Sequence, residues 1–183
     1  MRFPMRDPEI LKANEEIIRK FSGVEADLLL CREAGKLFER LILGIEEAFD
    51  VPFVWLSLLR RPETGILRKI LAKSDILRDR INNIAPASFF EIVPDGTDPV
   101  LAAGDLRAYY RLMPPDVKYL LRSLAVTPLT CRGVPIGSLN HGDASPNRYR
   151  PGMDTDSLGH LGKTVSEKLS LLLPATGSGI TGH

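Results

Sequence analysis

The chain has 183 residues, of which 44% are apolar and 26% charged, with a formal net charge of +1. That length suits one domain with a short extension, and the apolar share is enough to bury a core. Near-neutral charge provides no overall field toward nucleic acid or an anionic membrane, so a dedicated binder of either is not expected.

Residues Pro8 to Phe21 read as a short helix, with Ile10, Leu11, Ile17, Ile18 and Phe21 on roughly one side and Ser22-Gly23 as an interruption. The strongest periodicity runs from Val24 to Phe49. There Leu30, Ala34, Leu37, Leu41, Ile45 and Ala48 recur at helical spacing as a core-facing stripe. Leu28, Leu29, Phe38, Ile42 and Phe49 widen that arc beyond the need of one sheet face. The surplus predicts a homodimer in which Leu28, Leu29, Ile42, Leu171 and Leu173 pack against a second copy.

Asp50-Val51-Pro52 ends the helix, because a residue before proline is biased out of the helical region. The almost continuous apolar run Phe53–Leu59 reads as a strand buried on both faces. Arg60 to Gly65 reads as a turn, and Ile66 to Ala72 as a second strand or the start of a helix. Ser74 is the expected N-cap of a helix through Ile84, with Ile76, Leu77 and Ile81 inward. Ala87–Val93 reads as a short strand, Pro94–Pro99 as a loop and Val100–Met113 as a helix. Two strands, Ser123–Cys131 and Val134–His141, flank the two-residue connection Arg132-Gly133, the pattern of a hairpin. A loop from Gly142 to Asp154 leads to a last helix from about Thr155 to Leu173, with Leu158, Leu161, Val165, Leu169 and Leu172 in register. The order predicts an α+β domain, an antiparallel sheet with helices packed on it.

The hairpin SLAVTPL…GVPIGSLNHG, set between a long early helix and a last helix, resembles a GAF domain. More narrowly, the segment from Asn140 through Pro146, Arg148-Tyr149, Pro151-Gly152-Met153 and Thr155 to Leu158 is similar to a bacterial GAF-like family catalogued as domain of unknown function 484. The resemblance implies a GAF-like (profilin-like) antiparallel sheet of about six strands. First and last helices would lie side by side on one face, with a small-molecule pocket on the other. On that basis 1–23 is expected to be a helical extension, 24–174 the GAF-like domain and 175–183 a flexible tail.

For the pocket, a hairpin turning at Arg132-Gly133 puts Thr127 opposite Ser138 and Ala125 opposite Asn140, all on one face. Trp55 and Ser57 share a face of the first predicted strand, and Phe89 and Tyr109 are apolar partners for it. The expected lining is therefore Trp55, Ser57, Phe89, Tyr109, Thr127, Ser138 and Asn140, apolar with a few convergent donors and acceptors. Were Trp55, Phe89 and Tyr109 to fill the space instead, the chain would read as a pure interaction module.

Chemistry beyond binding has little to recommend it in the residues. Cys31 and Cys131 are the only cysteines, too few for a disulfide framework or a zinc site. Some GAF-fold enzymes reduce free methionine sulfoxide with cysteines, and the alternative reading is a small thiol-dependent redox enzyme of that kind. His141 with Asp143, Asp154 and Asp156 fits no metal-ligand spacing, and no catalytic residue, metal or cofactor is expected. The basic residues between Arg60 and Arg80 lack the aromatic interleaving of a nucleic-acid surface. The glycine-rich GSGITG tail has no following lysine or helix, so it is no phosphate loop. Met1 to Ile10, with Pro4 and Pro8 among charges, is unlike a secretory signal, and no apolar run of about 20 residues could span a bilayer. The expectation is a cytoplasmic, non-enzymatic sensory or regulatory domain that binds an unidentified small molecule or a partner protein.

Overall fold

The computed structural model describes residues 8–174. The expectations for 1–7 and for the 175–183 tail lie outside the described residues. The elements in chain order are α1 (Pro8–Leu29), α2 (Ala34–Phe49), β1 (Phe53–Leu59), α3 (Gly65–Ala72), β2 (Ile81–Ile84), α4 (Pro86–Ile92), β3 (Val100–Ala103), β4 (Ser123–Cys131), β5 (Val134–Asp143) and α5 (Asp156–Leu172). The five strands form one sheet in the order β2-β1-β5-β4-β3. Only the β1–β2 pair is parallel; the other three pairings are antiparallel. This is the expected α+β architecture, with one strand fewer than the resemblance implies.

α1, α2 and α5 cover one face of the sheet. Leu37, Phe38, Leu41, Ile42 and Ile45 of α2 are wholly buried there with Val165 and Leu169 of α5 and Val54, Leu56 and Leu58 of β1. Each such side chain contributes about 1.5–3 kcal/mol by leaving water. A second core lies on the other face, where Trp55, Leu59, Val126 and Leu124 meet Phe89 of α4 and Leu106, Leu112 and Met113 around the short 3-10 segment Arg107–Leu112.

The helix boundaries near the N-terminus differ from expectation. α1 passes through Ser22-Gly23 without a break, because nothing there opposes the helix: a Cβ on Gly23 would meet no atom within 4 Å. The chain turns instead at Leu30–Glu33, leaving Leu30 79% exposed and outside the core stripe. Leu28 and Ile42, expected on a dimer surface, are core residues of this chain, whereas Leu29 and Leu171 are exposed.

Three middle segments differ from what their local pattern predicts. Ile81–Ile84 is a strand, because its backbone pairs in parallel with Leu56–Leu59. Ser74 still receives the Leu77 N–H on its hydroxyl, but only a turn and a single 3-10 segment (Arg78–Arg80) follow. Pro86–Ile92 is a helix with proline in its first turn, where the missing N–H costs nothing. Val100–Ala103 is a strand because β4 offers it a full ladder, and Gly104 at φ +89° ends it. Tertiary pairing overrides propensity over such short stretches.

The hairpin turns where expected, with Arg132 at φ +52° and Gly133 at φ +79°. Its register slips after two pairs. Cys131 faces Val134 and Thr130 faces Pro135, but Leu129 faces Gly137, so Ile136 is an extra residue in β5. A bulge of one residue exchanges the faces of everything beyond it. Asn140 therefore stands opposite Val126, and Thr127 opposite Leu139.

Candidate functional site

The second face of the sheet carries a closed polar network. Ser138 Oγ donates to Asn140 Oδ1 (2.9 Å) and Asn140 Nδ2 donates to Ser57 Oγ (2.9 Å). Ser57 Oγ and Trp55 Nε1 both donate to the carbonyl oxygen of Leu112, each at 2.7 Å. β5, β1 and the Arg107–Leu112 segment are thereby tied together. Both lone-pair directions of the Leu112 carbonyl are engaged by side chains of one strand, two residues apart and on the same face.

Of the seven residues expected to line a pocket, Trp55, Ser57, Ser138, Asn140 and Phe89 are brought together on this face, all buried. Tyr109 packs against their cluster while half-exposed. Thr127 is not among them. The bulge turns it toward α5, where a Cβ added to Gly162 would come within 2.8 Å of its methyl group and its hydroxyl finds no partner. The polar atoms that a ligand would use here are bonded to one another and to Leu112. The Leu112 carbonyl, central to the network, is invisible to sequence reasoning because any residue supplies a carbonyl.

The segment that resembles the bacterial family does structural work. Arg148 donates to the carbonyl oxygens of Phe49 and Asp50 at the end of α2, and pairs with Asp143 at 3.1 Å. It thereby caps the C-terminus of α2, where unpaired carbonyls and the negative end of the helix dipole favour a cation. Tyr149 folds over His141 with ring centroids 6.0 Å apart. Burial pushes the Tyr149 phenol up to about 12. His141 is fully buried with Nε2 unpartnered, and burial, then the neighbouring Arg148 charge, hold its pKa down to about 4.

The two cysteines lie at one end of the molecule. β5 begins beside Cys131 and runs antiparallel to β1, so the hairpin turn lies at the end of β1. α2 leads into β1 through a three-residue turn, so the start of α2, just after Cys31, lies over that same end. The last turns of α5 bind both segments. Ser166 Oγ accepts from Thr130 N–H, Ser170 Oγ accepts from Arg132 N–H, and Lys168 Nζ donates to the carbonyl of Leu29. Both thiols are free and both adjoin the helix-side core. Burial pushes the Cys31 thiol up, while the charges of Arg40 and Lys168 act to lower it. Cys31 lines a surface cavity of about 420 Å³ together with Asp27, Arg32, Glu33, Lys36 and Arg40.

No helix of the described residues is long and apolar enough to cross a membrane. No family model matches the sequence, and no curated protein matches it. Among solved structures, the chain is similar to the free methionine-R-sulfoxide reductase of Neisseria meningitidis, solved in complex with its substrate. The match has a TM-score of 0.56 and 19% identity, and covers 94% of this chain and 96% of that one. It corrects the expectation of a non-enzymatic module. That expectation rested on the lack of a contiguous catalytic motif. The chain has a GAF-like fold.

Proposed function

We propose that this chain is a thiol-dependent redox enzyme on a GAF-like fold, acting on a small sulfoxide, with Cys31 and Cys131 as its redox pair. The observation that carries the reading is that the backbone beside each cysteine bonds to the C-terminal turns of α5, Thr130 and Arg132 to Ser166 and Ser170, and Leu29 to Lys168. Similarity to the sulfoxide reductase along nearly the whole chain supports it. Arg32, Lys36 and Arg40 offer cations to a substrate carboxylate at the Cys31 cavity, and Asp27 and Glu33 offer anions to an ammonium, as a free amino acid requires. Cys31 Sγ attacks the sulfoxide sulfur and takes up its oxygen as a sulfenic acid, releasing the thioether. The Cys131 thiol then displaces that oxygen as water, closing a disulfide that an external dithiol reduces. The net change is sulfoxide plus two thiols to thioether, disulfide and water.

The test supplies racemic free methionine sulfoxide with dithiothreitol and measures methionine by chromatography. Methionine release that is lost in both Cys31→Ser and Cys131→Ser, with a two-dalton loss in the protein when dithiothreitol is left out, is the expected result. No methionine and two unchanged thiols would refute it.

A further inference from the structure

Aromatic rings and an unneutralised positive charge meet in a concave site far from the cysteines. The cavity, of about 370 Å³, is bordered by the 104–107 turn, Tyr110, Tyr119, Leu121 and Arg122. Its size suits a small organic molecule. Arg122 immediately precedes β4, whose last residue is Cys131. About 30 Å of strand therefore separates the two positions, at about 3.3 Å per residue.

Backbone bonds hold the walls in place. Arg122 N–H donates to the Asp143 carbonyl and Gly104 N–H donates to the Arg122 carbonyl, each at 2.8 Å. Arg122 is thereby tied to β5 and to the residue that follows β3. Leu106 and Leu121 are buried and supply apolar lining. Tyr110 and Tyr119 meet edge to face with ring centroids 5.5 Å apart, and Lys118 Nζ lies 5.6 and 5.1 Å from those centroids. Tyr119 is nevertheless 72% exposed, so a further ring can lie against it. Aromatic rings attract one another in offset or edge-to-face contact beyond the gain from burial alone.

The charges set what such a ring must carry. Asp105 is the only carboxylate bordering the cavity. Arg107 takes both of its oxygens, with Nε at 2.9 and 3.0 Å and Nη2 at 2.6 Å. The Arg122 guanidinium makes no hydrogen bond or ion pair among the described residues. One free guanidinium matches one carboxylate, which it can hold through two parallel hydrogen bonds. We propose that this cavity binds a small aromatic carboxylate, its ring against Tyr119 and its carboxylate on Arg122. The site is independent of the thiol chemistry above.

Ligand-observed NMR titration of the full chain with phenylacetate, at up to millimolar concentration, is expected to show saturable binding. Cyclohexylacetate keeps the charge without the aromatic ring, and phenylacetamide keeps the ring without the charge. Each is expected to bind at least about threefold more weakly. Arg122→Gln and Tyr119→Ala are each expected to weaken phenylacetate by a similar factor, with little change in melting because both side chains are exposed. Cys31→Ser is expected to leave this binding intact. No saturation with phenylacetate, or an affinity unchanged in either variant, would overturn the proposal. Equal binding of cyclohexylacetate would overturn the role of the ring, and tighter binding of adenosine monophosphate would overturn the monocarboxylate assignment.

Discussion

Asn140 on β5 donates its amide to the hydroxyl of Ser57 on β1 across 2.9 Å, inside a core from which both residues are wholly excluded from water. This bond joins Ser138, through Asn140 and Ser57, to the carbonyl of Leu112. A segment with little regular structure is thereby fixed over the centre of the sheet.

Removing the middle of that chain leaves buried polar groups unpaired. Asn140→Ala is expected to lower unfolding free energy by about 1–3 kcal/mol, read as a shift in urea midpoint at constant slope. Thr127→Val is the control on the opposite face, since its hydroxyl is buried without a partner. That substitution is expected to be neutral or to stabilise by about 1 kcal/mol. Equal losses in both variants would contradict the assigned faces.

The bulge in β5 depends on Gly137. It sits at φ +147°, and a Cβ there would run into the carbonyl oxygen of Ser57 on β1. Backbone cannot yield as a flexible side chain can, so Gly137→Ala is expected to cost about 4 kcal/mol or more. Soluble expression and thermal melting would report it. An unaltered melting temperature would show that the strands do not approach as closely as described.

His141 makes stability depend on acidity. Its pKa falls from 6.5 in the unfolded chain to about 4 in the fold, so the unfolded state binds the extra proton between those values. Stability is full above about 6.5 and declines as pH falls toward 4. The loss totals about 3 kcal/mol from this group. His141→Leu is expected to flatten that part of the profile, measured by urea titrations from pH 7 to 4. A slope unchanged by the substitution would assign it to other groups.

Burial raises the Cys31 thiol, so less of it is thiolate at neutral pH than in a free peptide. Alkylation of Cys31 by iodoacetamide is expected to lag a model peptide at pH 7 and to gain on it as pH rises. Peptide mass analysis after timed quenching measures this. A Cys31 faster than the peptide at pH 7 would mean that Arg40 and Lys168 outweigh burial.

Much of the architecture is legible in the residues where a physical rule acts locally. Phe53–Leu59, the hairpin at Arg132-Gly133 and the last helix follow from continuous apolarity, a turn that tolerates positive φ, and helical spacing. The candidate face was half legible. Trp55 and Ser57 alternate as their strand predicts, but strict alternation sets Thr127 with Ser138, because one extra residue, Ile136, leaves no mark in the sequence pattern. Strand identity at Ile81–Ile84 and Val100–Ala103 came from neighbours far along the chain, which offered backbone ladders that four residues cannot announce. Side-chain type and local sterics fix which segments carry apolar stripes and where the chain must turn, and both are read directly from the residues. Tertiary structure alone decided the bulge, the Leu112 carbonyl at the centre of the polar network and the approach of the two cysteine segments to α5, since each depends on long-range backbone position.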